Sequence, residues 1–180
     1  MKLLFWRKPR LPAADRPPLE RDERVVAWAR AAGGQVVVVT NKGLWLPARE
    51  PGSAGDRRLG WHEIHKAAWS ERELVITPSA VVADLEGYKV TADLPPVALT
   101  LPEPGDVPAQ VRARVTRSVA YSTRHALPGQ GAARVVARRW PGVDGLHWAV
   151  RLEGGADIDD PVVREVTKDL VDAAVADVNR

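Results

Sequence analysis

The fold is decided by the stretch Val36-Val37-Val38-Val39-Thr40-Asn41-Lys42-Gly43-Leu44-Trp45-Leu46. Its two apolar parts are short and rich in β-branched or aromatic residues, and a polar turn separates them, as in an antiparallel hairpin. Glycine adopts a positive φ without steric cost, so we expect Gly43 in a left-handed position of that turn. The stretch therefore predicts two neighbouring strands of an antiparallel sheet.

The residues around this hairpin predict further short strands. Upstream, residues 24–30 form another β-branched and aromatic run, and a glycine turn at 33–34 closes it. Downstream, residues 49–60 are rich in Gly, Pro, Ser and charge, so we expect an exposed loop there. Strands are predicted next at 61–69 and 73–77.

The following part of the chain predicts one more strand and a helix. Prolines interrupt residues 80–101. At the end of this segment, in residues 97–101, large apolar side chains alternate with small or polar ones, as in a half-buried strand. Asp106 is a predicted helix N-cap, and valines then recur every fourth residue from Val107 to Val119. An amphipathic helix of about four turns should therefore pack on the sheet.

A second hairpin and a second helix follow. The two strands are predicted at 134–140 and 146–152, joined by a turn that contains Pro and Gly. Asp160 followed by Pro161 marks a helix start, because the carboxylate accepts a backbone hydrogen bond and proline sits where no N–H is needed. The expected apolar stripe of this helix is Val163, Val166, Leu170, Ala174 and Val178. The whole pattern predicts an α+β fold.

Composition indicates one globular domain without thiol chemistry. The chain has 180 residues, of which 45% are hydrophobic and 27% charged, and this balance supports a buried core. The absence of cysteine excludes disulfides, thiolate metal sites and a cysteine nucleophile. The apolar run at residues 3–6 is too short for a signal peptide or a membrane span. We therefore expect a cytoplasmic protein.

The first twenty residues are predicted to form a flexible basic tail. They contain four prolines, and four of the chain's 26 basic residues lie in the first ten positions without an acid. Apolar and basic side chains lie together there, as in a peripheral membrane contact. The residues that would contact the inner face of the membrane are Lys2, Phe5, Trp6, Arg7 and Lys8.

Residues 37–64 resemble the strand pattern of bacterial pleckstrin-homology-like (PH-like) and GRAM-like domains. The similarity consists of an apolar strand ending in Thr40, a turn, a second apolar strand, and a small-Trp-x-x-Ile segment from Gly60 to Ile64. It extends over about residues 24–119 and implies an antiparallel half-barrel with a capping helix. The whole chain also looks like small actinobacterial proteins of unknown activity.

This resemblance divides the chain into three parts. A tail spans residues 1–20, a PH-like domain spans 21–120, and a β-hairpin with a C-terminal helix spans 121–180 and packs on the same domain. In eukaryotic PH domains, phosphoinositide binding depends on basic residues at the first hairpin turn. The corresponding turn at 31–35 has only Arg30 nearby, so this lipid function is not expected to carry over.

One cluster resembles a fragment of a metal or acid–base site. His62, Glu63 and His65 lie close together, but the helical zinc motif requires two histidines four residues apart. On a strand, His62 and His65 would point to opposite faces, which works against joint ligation. We therefore expect two surface histidines and no metal site.

A second cluster contains hydroxyl groups near a histidine. Ser118, Ser122 and Thr123 lie close to His125 in sequence. No carboxylate occurs in residues 107–143 to orient the imidazole, and no nucleophile-elbow motif is present. Only an aspartate from elsewhere in the chain would complete a triad. We expect no catalytic residues and no cofactor.

The strongest charge asymmetry lies between residues 107 and 143. This segment has seven arginines and no acid, and guanidinium groups bind phosphates through paired donors. It predicts an anion-binding face for nucleic acid or acidic lipid; the alternative is internal pairing with the acids of residues 153–177. The seven arginines are Arg112, Arg114, Arg117, Arg124, Arg134, Arg138 and Arg139.

The sequence as a whole predicts a non-enzymatic protein-interaction or adaptor domain with an unknown protein partner. The PH-like strand pattern and the lack of a catalytic motif favour this interpretation. Two alternatives stay open, namely anion binding through the region from Arg112 to Arg139 and a small-molecule enzyme with an unrecognised site. Assembly into an oligomer is compatible with the sequence.

Overall fold

The computed structural model describes residues 10–47 and 57–180. Within these residues it contains eleven β-strands, two α-helices and two 3-10 helices. The strands are β1 (Val25–Arg30), β2 (Val36–Thr40), β3 (Gly43–Leu46), β4 (Arg57–Gly60), β5 (Ile64–Ser70), β6 (Glu73–Leu85), β7 (Tyr88–Asp93), β8 (Val97–Thr100), β9 (Val119–Ala126), β10 (Ala132–Trp140) and β11 (Val143–Glu153). The α-helices are α1 (Val107–Ser118) and α2 (Pro161–Val178), and the 3-10 helices span Ala13–Asp15 and Trp61–Glu63.

The first part of the chain forms a curled half-barrel. Strands β1, β2, β3 and β4 make an antiparallel sheet in that order, and β5 and β8 flank the first half of β6 in a second layer. The N–H of Ala32 donates to the carbonyl of Thr100 over 2.9 Å and joins the two layers at one corner. Val107 and Val111 of α1 are fully buried in the core between them. Each contributes about 1.5–3 kcal/mol by this burial.

Strand β6 belongs to two sheet regions. Its thirteen residues pair with β5 and β8 at the beginning and with β7 at the end, and the register shifts between Val81 and Ala83. Beyond β7 the sheet continues through β11, β10 and β9, with β7 and β11 parallel. The second hairpin is therefore an extension of the sheet to which β6 belongs.

A second core lies between this extension and α2. Val135 and Val150 are fully buried in it, together with Val171 of the helix. The Tyr88 Oη and Thr167 Oγ1 atoms lie 2.9 Å apart and form a buried hydrogen bond. Successive side chains of a strand point to opposite faces of the sheet. The residues of β7, β10 and β11 that lie between these core residues therefore face away from α2.

The structure confirms the predicted α+β fold with a half-barrel and two helices. Asp160 caps α2 as expected, since its Oδ1 accepts the N–H of Val162 over 2.8 Å. The prediction of the buried, apolar face of α2 is wrong in part. Val178 is 42% exposed, whereas Thr167 and Val171 complete the buried face.

Several boundaries differ from the sequence prediction; for example, β6 was predicted to end at residue 77 but continues to Leu85. Residues 57–60 of the predicted loop form β4, because Gly43 to Leu46 pair with them. Residues 61–63 form a 3-10 turn, so β5 begins only at Ile64. Val119 is the first residue of β9, a strand that was not predicted, rather than the last turn of the helix.

Gly43 has a different role from the one predicted. It does not have a positive φ. A Cβ at this position would lie 2.3 Å from the carbonyl oxygen of Leu59, so glycine is required by the close approach of β4.

None of the helices in the described part of the chain is both long enough and apolar enough to cross a membrane.

A buried carboxylate ties the segment before β1 to the half-barrel. The Glu23 side chain is fully buried and accepts hydrogen bonds from Thr40 Oγ1 at 2.6 Å and Trp45 Nε1 at 2.9 Å. Arg58 of β4 donates to the same carboxylate over 2.7 Å. Glu20 pairs with Arg58 too, but it is half exposed. Glu23 thus links β2, β3 and β4.

Replacing Glu23 with alanine is expected to lower the free energy of unfolding by about 3 kcal/mol, because Arg58 and two buried donors lose their acceptor. Chemical denaturation at pH 7 measures this change. Glu20→Ala is the matched control and should have a much smaller effect, since water replaces its contacts. Equal losses in the two variants would contradict the assigned role of Glu23.

The same carboxylate makes stability depend on pH. Burial raises the pKa of Glu23, but the hydrogen bonds from Thr40 and Trp45 outweigh it and hold the pKa below its ordinary value. A lowered pKa means that this contribution is present above about pH 4.3, the value in an unfolded chain, and is lost as the pH falls through the folded value. Denaturation between pH 3 and pH 6 should show this loss in the unmodified chain, and Glu23→Gln should reduce it.

Candidate anion-binding groove

A groove of about 820 Å³ lies on the sheet face that points away from α2. Its floor consists of alternate residues of β7, β10 and β11, including Thr91, Val136 and Ala149. The 3-10 turn at 61–63 and the beginning of β5 form one wall. The groove is therefore built where the half-barrel meets the added hairpin.

Three arginines lie side by side across the strands next to this floor. Arg134 is directly opposite Arg124 on β9 and directly opposite Arg151 on β11. We call Arg124, Arg134 and Arg151 the arginine row. Like charges in directly opposite positions destabilise a sheet. Such an arrangement requires compensation by acids or by a bound anion.

Two carboxylates compensate the arginine row. Glu153 accepts from Arg124 Nε at 2.8 Å and from Arg134 Nε at 3.1 Å. These two hydrogen bonds hold the pKa of Glu153 below its ordinary value, and the one from Arg124 contributes more than the one from Arg134. Asp93 accepts from Arg151 Nη2. Three guanidinium groups thus share two carboxylates.

Arg138 adds a further guanidinium to the groove. Its Nη1 donates to Ser118 Oγ at 2.8 Å and to the Trp61 carbonyl at 3.4 Å. Burial lowers its pKa, although an arginine stays charged at neutral pH. Among the described residues no carboxylate forms an ion pair with it. Arg138 is therefore a partly buried positive charge whose protein partners are neutral.

A stack of three rings forms part of the wall. The Trp140 ring lies 4.5 Å from the His62 ring and 3.9 Å from the His147 ring, with interplanar angles of 23° and 13°. Burial is the main cause that lowers the pKa of His62, and nearby Arg138 acts in the same direction. Because two imidazole rings already stack on the indole, we assign Trp140 to the wall of the groove.

His65 projects into the groove from a β-bulge. The register between β5 and β6 shifts between Ile64 and Lys66, and such a bulge redirects the side chain. The His65 Nδ1 atom contacts the Asp93 carboxylate, and Nε2 lies 3.3 Å from Thr91 Oγ1. Burial lowers the pKa of His65, although Asp93 favours the charged form. Asp93 therefore holds His65 and Arg151 together.

The structure separates the seven arginines that the sequence grouped. Arg134 and Arg138 line the groove, and Arg124 continues the arginine row at its side. Arg112 and Arg117 are exposed on α1, away from the groove lining. Arg114 lies 5.9 Å from the Trp61 ring centroid, and Arg139 donates to the Arg117 carbonyl.

The alternative was that the seven arginines pair with the acids of residues 153–177. Of these acids, only Glu153 forms ion pairs with them, namely with Arg124 and Arg134. The acids of α2 form local pairs, such as Asp172 with Lys168 at 2.7 Å and Asp177 with Arg180 at 3.6 Å. Because α2 packs on the other sheet face, its acids do not neutralise the groove.

The two histidines expected on opposite faces both line the groove. The expectation assumed that both residues lie on one regular strand. His62 instead lies in the 3-10 turn, and the bulge at His65 interrupts the regular alternation of β5. The hydroxyl cluster is not assembled as a triad, since Ser118 binds Arg138 while His125 lies on β9 opposite Ala133 of the second core. The predicted membrane-contact residues lie outside the described part of the chain.

Sequence reasoning missed Thr91, Asp93 and Arg151. The first two belong to β7, where apolar and polar residues alternate from Tyr88 to Asp93; this strand signal was overlooked in a segment that the following prolines made hard to divide. Arg151 lay in a predicted strand, but it lies opposite Arg134 only because the register shifts between Arg138 and Trp140, and the sequence did not predict that shift.

Comparisons of the chain with protein-family models, with curated proteins and with solved structures find no match. In residues 10–47 and 57–180, no group of three or more histidine, aspartate or glutamate side chains is placed to hold a metal ion. The chemistry of the groove is what supports a functional conclusion.

Replacing Asp93 with asparagine is expected to lower the pKa of His65 further, because the carboxylate that favours the imidazolium is removed. A pH titration of the histidine ring signals by NMR measures this shift. Asp84→Asn is the matched control, since Asp84 pairs with Lys89 beside the same groove. A His65 pKa that is unchanged in Asp93→Asn would contradict the assigned contact.

Proposed function

We propose that this chain is a non-enzymatic binding protein that holds an anionic ligand in the groove. The observation that carries the proposal is the arginine row, of which Arg134 and Arg151 line the groove and Arg124 lies at its side, together with Arg138. Among the described residues, these four guanidinium groups form ion pairs with two carboxylates, Glu153 and Asp93, while Glu63 and Asp84 also line the groove. A bound anion would supply the missing negative charge and use donors that the protein leaves available.

The positions of the arginines on adjacent strands have an energetic cost. Side chains at directly opposite positions of adjacent strands are close, and like charges there repel. Glu153 and Asp93 offset part of this repulsion, and a bound anion would offset more of it. The fixed floor of the sheet holds the guanidinium groups in place before the ligand arrives, which lowers the ordering cost of binding.

We also propose that the half-barrel is PH-like, on the basis of its strand order and of α1 between its layers. In this proposal the half-barrel is a scaffold, and binding belongs to the groove at its junction with the added hairpin. The turn at 31–35 lacks the basic cluster that PH domains use for phosphoinositides. Interaction with a partner protein and a cytoplasmic location stay predictions.

Replacing Arg134 with glutamine is expected to weaken anion binding about tenfold or more, because one charge-assisted hydrogen bond contributes about 1.5–3 kcal/mol. Isothermal titration at low salt with inorganic phosphate, citrate, a short single-stranded DNA and anionic vesicles measures the affinity. Low salt is used because screening weakens charge interactions.

Arg112→Gln is the matched control, since it removes the same charge from an exposed site on α1. It should leave the affinity nearly unchanged. The proposal fails if none of the four anions binds to the unmodified chain, or if the two variants lose affinity equally.

A further inference from the structure

We infer that the ligand of the groove is a small, soluble phosphomonoester whose terminal phosphate lies beside Arg151, Thr91 and His65. This inference rests on the proposed function and adds the chemical class of the ligand. It follows from the size of the groove, from the set of donors at one end of it and from the position of His65.

The size of the groove favours a small molecule. Its volume of about 820 Å³ lies within the range of about 300–1,000 Å³ that is typical of small-molecule sites. The stacked rings of His62, Trp140 and His147 limit it on one side. A nucleic acid strand would instead require a long open track with exposed aromatic faces.

The donors favour phosphate over carboxylate. Arg151 lies directly opposite Thr91, and Arg134 lies opposite Arg151 on the next strand. Each guanidinium has five N–H donors, and Arg134 and Arg151 each place one nitrogen on a carboxylate. With the Thr91 hydroxyl, these groups offer more donors than the two oxygens of a carboxylate can use. A terminal phosphate has three acceptor oxygens and about two charges.

His65 makes the site sensitive to the charge of the ligand. The groups that face His65 are Asp93 and Thr91 on β7, Arg151 on β11 and Arg138 on β10, with Glu63 and Lys66 beside it along the chain. Burial, and to a smaller extent the two arginines, disfavour the imidazolium and lower the pKa of His65, and Asp93 only partly offsets them. A phosphate dianion near Nε2 would reverse this balance. Binding should then draw a proton from solution onto His65.

The test uses phenyl phosphate as the probe, with phenyl sulfate and benzoate as anions of similar size. Isothermal titration at pH 7 should give an affinity for phenyl phosphate at least about tenfold higher than for the other two. Repeating the titration in two buffers with different ionisation enthalpies should reveal uptake of up to one proton per ligand.

His65→Gln should abolish this proton uptake, because glutamine does not titrate. His125→Gln is the matched control, since His125 lies on β9 outside the groove lining. If His65→Gln does not fold, the two-buffer comparison on the unmodified chain tests proton uptake by itself.

The possible outcomes separate the two proposals. Equal affinities for the three probes, or phosphate binding without proton uptake, would overturn the phosphomonoester assignment while anion binding stands. Binding to vesicles that contain phosphatidic acid but not to phenyl phosphate would overturn the soluble ligand. Absence of binding to any anion would overturn both proposals.

Discussion

Strand β6 connects the two halves of the molecule through continuous backbone hydrogen bonds. Its first half pairs with β5 and β8 in the half-barrel, and its second half pairs with β7 in the extension. The bulges at His65 and near Val81 lie where the chain passes from one region to the other. The relative position of the two cores, and therefore the width of the groove, depends on this strand.

The extension keeps its charges on separate faces. The acids of α2 lie over one face of the sheet, and the arginine row lies on the other. Strand alternation produces this separation, because neighbouring residues point to opposite faces. Apolar residues such as Val135 and Val150 can therefore build a core against α2 while Arg134 and Arg151 stay available one residue away. Stability and binding use different residues of the same strands.

The sequence was sufficient for elements that local patterns determine. The hairpin from Val36 to Leu46 and the start of α2 at Asp160 follow from side-chain preference and capping, and both are present. Features that depend on distant partners were not predictable. Gly43 is required by the Leu59 backbone, and the bulge at His65 depends on pairing with β6. Both kinds of feature occur in the groove. Arg134 and Arg138 were identified from the sequence, whereas the position of Thr91 and Asp93 beside them depends on the parallel pairing of β7 with β11.

The parallel pairing of β7 with β11 has a consequence for how the protein folds. Lys89 of β7 lies opposite Ala149 of β11, so the pairing of these strands closes a long loop. The chain loses the conformational entropy of this loop before the pairing can stabilise it. The half-barrel contacts are mostly between strands that are neighbours in sequence, and they can form earlier. During synthesis, β7 would present an unpaired edge until β11 is complete, and such edges promote aggregation. The docking step that creates the groove is thus also the step at which a nascent chain is most vulnerable.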